Sequence, residues 1–326
     1  MGIMVLTSIR ALPSLCVSAS LRETLIALAL GWLAVCGQVV RAEESALTMV
    51  NQKTQARFEE IAEGVQGVMG IVVEDLAGEH RFAVNEDREF AQASAIKIPI
   101  LMEVLKQADE GKIKLDDRHW VTKKHQVAGS GILSELGDHT TQMSVEDLAV
   151  CMIVLSDNSA TNILIELVGM DNVTATMKSL GCEHTRLQRR MLDTEAAARG
   201  QDNLSTPADA ARLMRLLAEG KFVSRKVCDH ALEILRKPKP GAINSVLPSG
   251  VKVAFKPGEV PGVMTEWALV ELKDRPYIVT VMGSFQLRDE FKDAMKQVSQ
   301  TAYDFFQRAG ATKYGAYIDP EEWAKH

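Results

Sequence analysis

Ser94-Ala95-Ile96-Lys97 is the first of three short strings that decide how this chain is interpreted; Ser156-Asp157-Asn158 and Lys256-Pro257-Gly258 follow in that order. If the first string is helical, its hydroxyl and its amine lie about one turn apart on the same face. A serine becomes a nucleophile when a neighbouring base takes its proton, and an unprotonated lysine is such a base. The second string adds a hydroxyl and a carboxamide. The third adds an ammonium beside a glycine, where backbone can approach a ligand closely. The ordered set predicts a serine acyl-transfer enzyme or a descendant of one.

These strings resemble the S-x-x-K, S-D-N and K-T-G motifs of the serine β-lactamase and penicillin-binding protein superfamily. The likeness is greatest to its class A branch and runs from about Phe58 to Phe306. Within it, 70–76 resembles the opening strand, 185–189 the entry to the Ω-loop and 205–207 its exit into a helix. The resemblance implies a mixed α/β (α+β) fold of the β-lactamase/transpeptidase type. Such a fold has an antiparallel sheet flanked by helices and an inserted all-helical subdomain.

The resemblance also implies a role in the reaction for each catalytic side chain. Ser94 attacks a strained amide carbonyl, and Lys97 removes its proton. Ser156 passes a proton to the departing nitrogen, assisted by the positive charge of Lys256. Asn158 holds the side-chain amide of the substrate.

Substrate binding is expected to involve the third string and the residue after it. Ser94 is predicted at a helix N-terminus, where free N–H groups and the helix dipole favour negative charge. An oxyanion hole would then combine the backbone N–H of Ser94 with that of Glu259. Gly258 would leave the space that this arrangement needs.

One departure from the family pattern lies in the Ω-loop. Class A enzymes place a glutamate two residues after the arginine that Arg189 resembles, and here that position is Met191. A thioether has no basicity with which to activate the hydrolytic water. Glu195 stands where the family carries an asparagine that helps to hold this water, and it is a candidate replacement base. Asp193 is a second carboxylate nearby, and Lys97 itself is the remaining alternative.

Pro257 is another departure, because the family has Thr or Ser there to bind the substrate carboxylate. Proline has neither a hydroxyl nor a backbone N–H. Lys256 keeps its positive charge, so carboxylate recognition should persist but weaken by about 1 kcal/mol, the usual net value of one hydrogen bond. The ion pair that closes the Ω-loop in the family also changes, since Asn203 replaces the aspartate that the family pairs with Arg189. We expect Arg189 to donate to this carboxamide without charge pairing.

The composition limits the partners. With 46% hydrophobic and 25% charged residues, the 326-residue chain is typical of a globular protein. Its net charge of −6 argues against nucleic acid and anionic membranes. The seven histidines are scattered, so we expect neither a metal site nor a cofactor. The expected partner is a small-molecule β-lactam or a peptidoglycan-like peptide, and the protein is expected to be monomeric.

The N-terminus has the pattern of an export signal. An apolar run over 25–35 follows Arg22, and 40–42 offers small residues to a signal peptidase. We therefore expect a signal peptide over 1–42, cleaved near Ala42, and a periplasmic or secreted protein. Retention as an anchor and lipidation at Cys36 are the alternatives. Cys151, Cys182 and Cys228 remain in the mature chain and permit one disulfide at most.

Local patterns place the motifs on a single catalytic domain over 43–310, followed by a tail over 311–326. Its sheet part is expected from about 50–90 and 245–310, and its helical part from about 91–244. A helix is predicted from Ser94 to Glu110, with further helices over 50–65 and 290–306. Predicted strands cover 68–74, 80–84, 251–255, 267–272 and 277–282. Gly129-Ser130-Gly131 is either a plain tight turn or the rim of a cleft.

Three functions fit these residues. The favoured one is an exported β-lactamase-type serine hydrolase that opens β-lactam amides. A second is a D,D-peptidase, or another peptidase or esterase on the same fold. A third is a β-lactam-binding module that stays trapped as an acyl-enzyme.

Overall fold

The computed structural model describes residues 45–309 and Gly315. The predicted signal peptide over 1–42 and, apart from Gly315, the tail over 311–326 lie outside the described residues. Within 45–309, no helix combines the length and the apolar character needed to cross a bilayer. The three cysteines of this part of the chain are free thiols.

The central element is an antiparallel five-stranded sheet in the order β2-β1-β9-β8-β7. Its strands come from both ends of the described chain: β1 (Val68–Asp75), β2 (Arg81–Val84), β7 (Lys252–Val260), β8 (Val263–Glu271) and β9 (Tyr277–Ser284). Almost every residue of β1, β8 and β9 is buried, because helices cover both faces of the sheet. Two small two-stranded sheets lie in the inserted block, the part of the chain between β2 and β7. They pair β3 (Phe90–Ala91) with β6 (Leu204–Ser205) and β4 (Arg118–Trp120) with β5 (Gln142–Ser144).

Helices occupy the remainder of the described fold. Two of them, α1 (Ala46–Glu63) and α9 (Arg288–Arg308), pack on one face of the sheet around Phe58, Phe291 and Phe305. The inserted block supplies the others: α2 (Lys97–Asp109), α3 (Val145–Val154), α4 (Asn158–Val168), α5 (Met170–Ser179), α6 (Thr194–Ala198), α7 (Pro207–Glu219) and α8 (Arg225–Arg236). Their buried apolar side chains form a second cluster against the opposite sheet face. The predicted fold class is confirmed.

Several element boundaries differ from those predicted: the strand predicted over 267–272 begins at Val263, and the helix predicted over 50–65 begins at Ala46. Two further differences lie beside the site. The strand predicted over 251–255 continues through Pro257 to Val260. β7 is an edge strand, and on its outer side no further strand needs a backbone N–H as a hydrogen-bond donor. A proline is therefore tolerated at position 257. The helix predicted from Ser94 begins as a 3₁₀ turn over Ala93–Ile96, and α-helical geometry starts at Lys97. Pro99 is the third residue of α2. The backbone N–H groups of the first turn of a helix have no acceptor within the helix, so a proline is tolerated there.

Candidate active site

Ser94 is held in a constrained turn at the start of α2. The preceding residue, Ala93, has a left-handed φ of 44°, a conformation that costs a non-glycine residue free energy. Gln92 is fully buried, and its side chain accepts a hydrogen bond from the indole of Trp267 on β8 at 3.0 Å. Its carbonyl oxygen accepts from the Thr265 hydroxyl at 2.9 Å. The turn that carries the nucleophile is therefore fixed to the sheet.

Gly258 brings the edge strand against this turn. A Cβ atom built on Gly258 would lie 2.7 Å from the backbone nitrogen of Ser94 and 2.6 Å from the carbonyl oxygen of Gln92. Any side chain would therefore separate β7 from α2. The close approach brings the backbone of Gly258 beside the Ser94 N–H.

Lys97 is completely buried, and its amine points to Ser156 and Asn158. Its Nζ lies 2.7 Å from the Ser156 carbonyl oxygen, 3.1 Å from the Ser156 Oγ and 2.9 Å from the Asn158 Oδ1. Among the described residues no hydrogen bond joins it to the Ser94 hydroxyl, although the two residues are one turn apart. In the free protein the amine is therefore directed at Ser156 and Asn158.

These three contacts fit both charge states of the amine, because an ammonium can donate to all three oxygens. The Asn158 amide is oriented by donation from its Nδ2 to the Ala128 carbonyl at 3.2 Å, so its Oδ1 faces Lys97. A neutral Lys97 donates two N–H groups to the two carbonyl oxygens and keeps one lone pair for the Ser156 hydroxyl. Burial lowers the pKa of Lys97 well below its ordinary value, and the positive charge of Lys256 lowers it further. Lys97 is thus suited to accept a proton.

Ser156 lies where two lysines converge. Its Oγ is 3.1 Å from the Lys97 Nζ and 3.0 Å from the Lys256 Nζ. Its φ of 54° is left-handed, and the residue lies in the turn between α3 and α4, where it lines the cavity. Asp157 fixes the junction, because its carboxylate accepts the backbone N–H groups of Ile132, Leu133 and Ala160 at 2.7–2.9 Å.

The rim of the cleft is formed by Gly129-Ser130-Gly131. The Ser130 carbonyl accepts the backbone N–H of Asn158 at 3.0 Å. A Cβ on Gly129 would come within 2.9 Å of the Asn158 amide nitrogen, and one on Gly131 within 2.1 Å of the Asp157 carboxylate. Of the two sequence-based alternatives, the structure therefore favours the rim, because both glycines are needed for close packing on the Ser156–Asn158 segment.

Lys256 lies on β7 and is almost completely buried. Its Nζ donates to the Ser156 Oγ and, at 2.9 Å, to the carbonyl oxygen of Pro257. Burial lowers the pKa of Lys256 to about 7, with a further contribution from the charge of Lys239. The adjoining cavity has a volume of about 830 Å³, and its lining includes Ser94, Ser156 and Lys256. It is large enough for a drug-sized ligand.

The Ω-loop side of the site carries no base in contact with the serines. The Met191 side chain is 7% exposed and belongs to the helical core. Its backbone is held from both sides by Asn162, whose Oδ1 accepts the Met191 N–H at 2.9 Å and whose Nδ2 donates to the Met191 carbonyl at 3.3 Å. The backbone at this position is therefore fixed, and its side chain is a thioether without basicity.

Glu195 is not brought into the cavity. It lies on α6 with its side chain exposed, and the buried residue of that helix is its neighbour Ala196. No hydrogen bond or ion pair of the Glu195 carboxylate is found among the described residues. Asp193 is exposed as well and caps α6 through the Ala196 N–H at 2.9 Å. Neither carboxylate lines the cavity that contains Ser94.

The interaction of Arg189 that closes the Ω-loop differs from the prediction. The guanidinium forms an ion pair with Asp202 at 2.8 Å, so charge pairing is kept through the residue before Asn203. The Asn203 Oδ1 instead accepts the backbone N–H groups of Gln188 and Arg189 at 2.8 and 3.0 Å. The expected donation from the Arg189 side chain to this carboxamide is therefore wrong, because the neighbouring carboxylate is the stronger acceptor.

Comparisons with known proteins agree with this architecture. A model of the β-lactamase enzyme family matches residues 53–306. The chain belongs to the β-lactamase enzyme family. It is 28% identical over 245 residues to an imipenem-hydrolysing β-lactamase of Enterobacter cloacae, covering 73% of this chain and 83% of the relative.

Solved structures show the same relationship. A β-lactamase from Sphaerobacter thermophilus superposes with a TM-score of 0.72 at 29% identity, covering 78% of this chain and 97% of the other. An acyl-enzyme complex of a mutant PBP-A with penicillin G superposes with a TM-score of 0.72 at 25% identity, covering 80% and 97%. The proteins similar to this chain thus include ones described as β-lactamases and one captured as a penicillin acyl-enzyme.

Several members of this family site were missed by sequence reasoning. Gln92, Asn162 and Asp202 position the nucleophile turn and the Ω-loop, yet each is an isolated polar residue outside the three strings. The signal that could have indicated Asn162 is its spacing, since it lies one helical turn after Asn158 on α4. Gln92 and Asp202 act through contacts that only the fold creates.

Proposed function

We propose that this protein is a serine hydrolase that opens β-lactam amides through an acyl-enzyme on Ser94. The convergence of Lys97 and Lys256 on the Ser156 hydroxyl carries the proposal. It supplies a buried amine that can accept a proton, a hydroxyl that can relay it, and a cation beside the space for substrate. The family relationship supports the same reaction class.

The arrangement provides a complete route for acylation. The Ser94 Oγ bonds to the amide carbon while its proton moves to Lys97, whose amine turns from Ser156 and Asn158 toward Ser94 for this step. The developing oxyanion is stabilised by the backbone N–H groups of Ser94 and Glu259. As the C–N bond breaks, Ser156 gives its proton to the nitrogen and takes one from Lys97. Asn158, which lies in the same network, would hold the substrate's side-chain amide.

Deacylation is the weak step in this proposal. Among the described residues, the acidic side chains that line the cavity are Glu259 and Glu266, both on the sheet. Met191 occupies the position of the family base, and Glu195 points to solvent. Lys97 is then the remaining group that could activate water, and hydrolysis should be slow.

This weakness favours a second candidate on the same fold, a penicillin-binding D,D-peptidase or a β-lactam-binding module that turns over slowly. The observation in its favour is the buried Met191, which removes the base for hydrolysis and leaves the acylation machinery complete. In either case we propose an exported protein, on the basis of the signal pattern over 1–42.

Mass spectrometry of the intact protein, mixed with a chromogenic cephalosporin and followed over time, tests both candidates. The β-lactamase proposal predicts a drug-mass adduct that forms and disappears while the released chromophore exceeds one equivalent. A burst of one equivalent with a persistent adduct would support the second candidate. The lack of any adduct or colour change would contradict both.

Replacing Lys97 with alanine is expected to slow acylation by about 10²–10⁴-fold, the usual contribution of a general base. The measurement is the rate of adduct formation under single-turnover conditions. Lys106, partly exposed on the same helix and paired with Glu110 at 3.1 Å, provides the matched control as Lys106→Ala. A Lys97→Ala variant that is acylated as fast as the parent would place the base elsewhere.

A further inference from the structure

Asp75, Glu79 and His80 form a cluster of potential metal ligands at one end of the central sheet. One carboxylate oxygen of Asp75, one of Glu79 and a ring nitrogen of His80 lie within 4.8 Å of one another. A zinc ion bound to three such atoms at about 2.1 Å sets them about 3.4 Å apart in tetrahedral geometry. Because the Glu79 side chain is exposed, it has room to rotate toward the other two.

The register of the β1–β2 hairpin brings two of these residues together. Glu74 pairs with Arg81 across the hairpin. Asp75 and His80 form the next pair toward the turn, and the Asp75 N–H donates to the His80 carbonyl at 3.1 Å. Side chains of such a cross-strand pair lie on the same face of the sheet. Glu79 is the last residue of the turn between them, so the cluster is built by the hairpin, and the spacing of histidines along the chain could not indicate it.

His80 is a buried side chain whose ring nitrogens have no partner among the described residues. It is 6% exposed, and its Nδ1 is buried without a hydrogen bond. No hydrogen bond of its Nε2 is found in 45–309 either, so the nitrogen that faces the two carboxylates is unpartnered. The ring packs edge-on against Phe305 and Phe306, with centroids 5.0 and 6.4 Å away, and this packing fixes its orientation. A buried unpaired polar atom costs free energy, and coordination of an ion by this nitrogen would remove that cost.

The two carboxylates of the cluster lack a counter-charge. The Asp75 Oδ1 accepts the Glu79 N–H at 2.9 Å, but no lysine or arginine of the described residues forms an ion pair with either carboxylate. Arg215 approaches the same turn, where it donates to the carbonyl oxygen of Asp75. Its charge is balanced by ion pairs with Glu74 and Glu219, at 2.8 and 3.2 Å. A divalent cation would supply the positive charge that the cluster lacks.

We propose that Asp75, Glu79 and His80 bind a zinc ion. The imidazole nitrogen favours a transition metal over Mg²⁺ or Ca²⁺, which prefer oxygen ligands. Three protein ligands leave the fourth position of the tetrahedron to water. The ion joins the turn of the hairpin to the sheet face that α9 covers, and its role is to stabilise the fold.

The proposed zinc site lies away from the catalytic cavity. On β1 the residue level with Gly258 is Gly70, five residues and about 17 Å along the strand from Asp75. None of the three ligands lines the cavity. We therefore expect zinc to raise the midpoint of thermal unfolding, because a ligand that binds only the folded state stabilises it, and to leave acylation unchanged. Zinc binding is thus independent of the proposed function.

Isothermal titration of the metal-free protein, purified without a histidine tag, with zinc chloride tests the site. The parent should bind one equivalent at this site, and excess Mg²⁺ should not compete. His80→Phe keeps an aromatic ring against Phe305 and Phe306 and removes the ligand nitrogen. Glu79→Gln changes an exposed side chain and remains informative if the buried variant does not fold. In each variant we expect the affinity for zinc to fall at least about 10-fold, since even an outer-shell partner of a metal ligand contributes that much.

His184→Phe is the matched control for these variants. The His184 Nδ1 also lies 2.8 Å from a carboxylate oxygen, that of Glu89, but the guanidinium of Arg186 occupies the same carboxylate. This variant should bind zinc like the parent. The rise in unfolding midpoint that zinc causes in the parent should persist in His184→Phe and disappear in both test variants. Parent-like zinc affinity in both His80→Phe and Glu79→Gln would overturn the proposal, as would a lack of zinc binding by the parent.

Discussion

Replacing Ser94 with alanine is expected to abolish all covalent labelling of the protein by β-lactams. The Ser94 hydroxyl is the one in the cavity that lies at a helix N-terminus, beside a strand with no intervening side chain and one turn from a buried amine. Ser156 is hydrogen-bonded to two lysines, and its proposed role is to relay a proton. Intact-protein mass spectrometry after mixing with penicillin G measures the effect.

Ser245→Ala is the matched control for this experiment. The Ser245 hydroxyl also lines the cavity, but it donates to the Ala242 carbonyl at 2.7 Å and has no neighbouring base. It should label like the parent. Persistence of a drug-mass adduct in Ser94→Ala would remove Ser94 from the role of nucleophile.

Replacing Met191 with glutamate is expected to accelerate deacylation by about 10²-fold or more, the range of a well-placed general base. The backbone of this position is already fixed by Asn162, so a new carboxylate would start from a defined place. Burying it should also lower the midpoint of thermal unfolding, because a charged group loses hydration there. Acylation and deacylation rates must be measured separately, since a steady-state kcat combines them.

Met191→Gln separates basicity from shape, and it should deacylate at the parent's rate. Glu195→Gln tests the replacement base that the sequence indicated. Because the Glu195 side chain is exposed, we expect its removal to leave deacylation unchanged. A Glu195→Gln acyl-enzyme that persists longer would show that the Ω-loop moves during turnover and brings this carboxylate to the water. A Met191→Glu variant with unchanged deacylation would show that the lost glutamate is not what limits hydrolysis.

The sequence predicted the elements of this fold well where the signal was local. The sequences of buried strands such as β1 and β9 are runs of mostly apolar residues. The start of α7 has Thr206 as its N-cap and Pro207 as its first residue. The end of β7 was missed because proline is disfavoured in strands, and only the pairing with β8 shows that the strand continues past Pro257. The same lack of context led to the wrong partner for Arg189, since Asp202 and Asn203 differ by one position along the chain.

The sequence by itself determined the chemistry available to this protein: a serine with a lysine one turn away, a second hydroxyl, a lysine beside a glycine, and an Ω-loop position without a carboxylate. These are properties of residue types and short spacings, which a local pattern records. The tertiary structure decided which of these groups meet. It directed Lys97 to Ser156 rather than to Ser94, left Glu195 in solvent, and placed Glu266 in the cavity. Those outcomes depend on burial and on contacts between residues as much as 100 positions apart, as for Lys256 and Ser156, and no local pattern contains them.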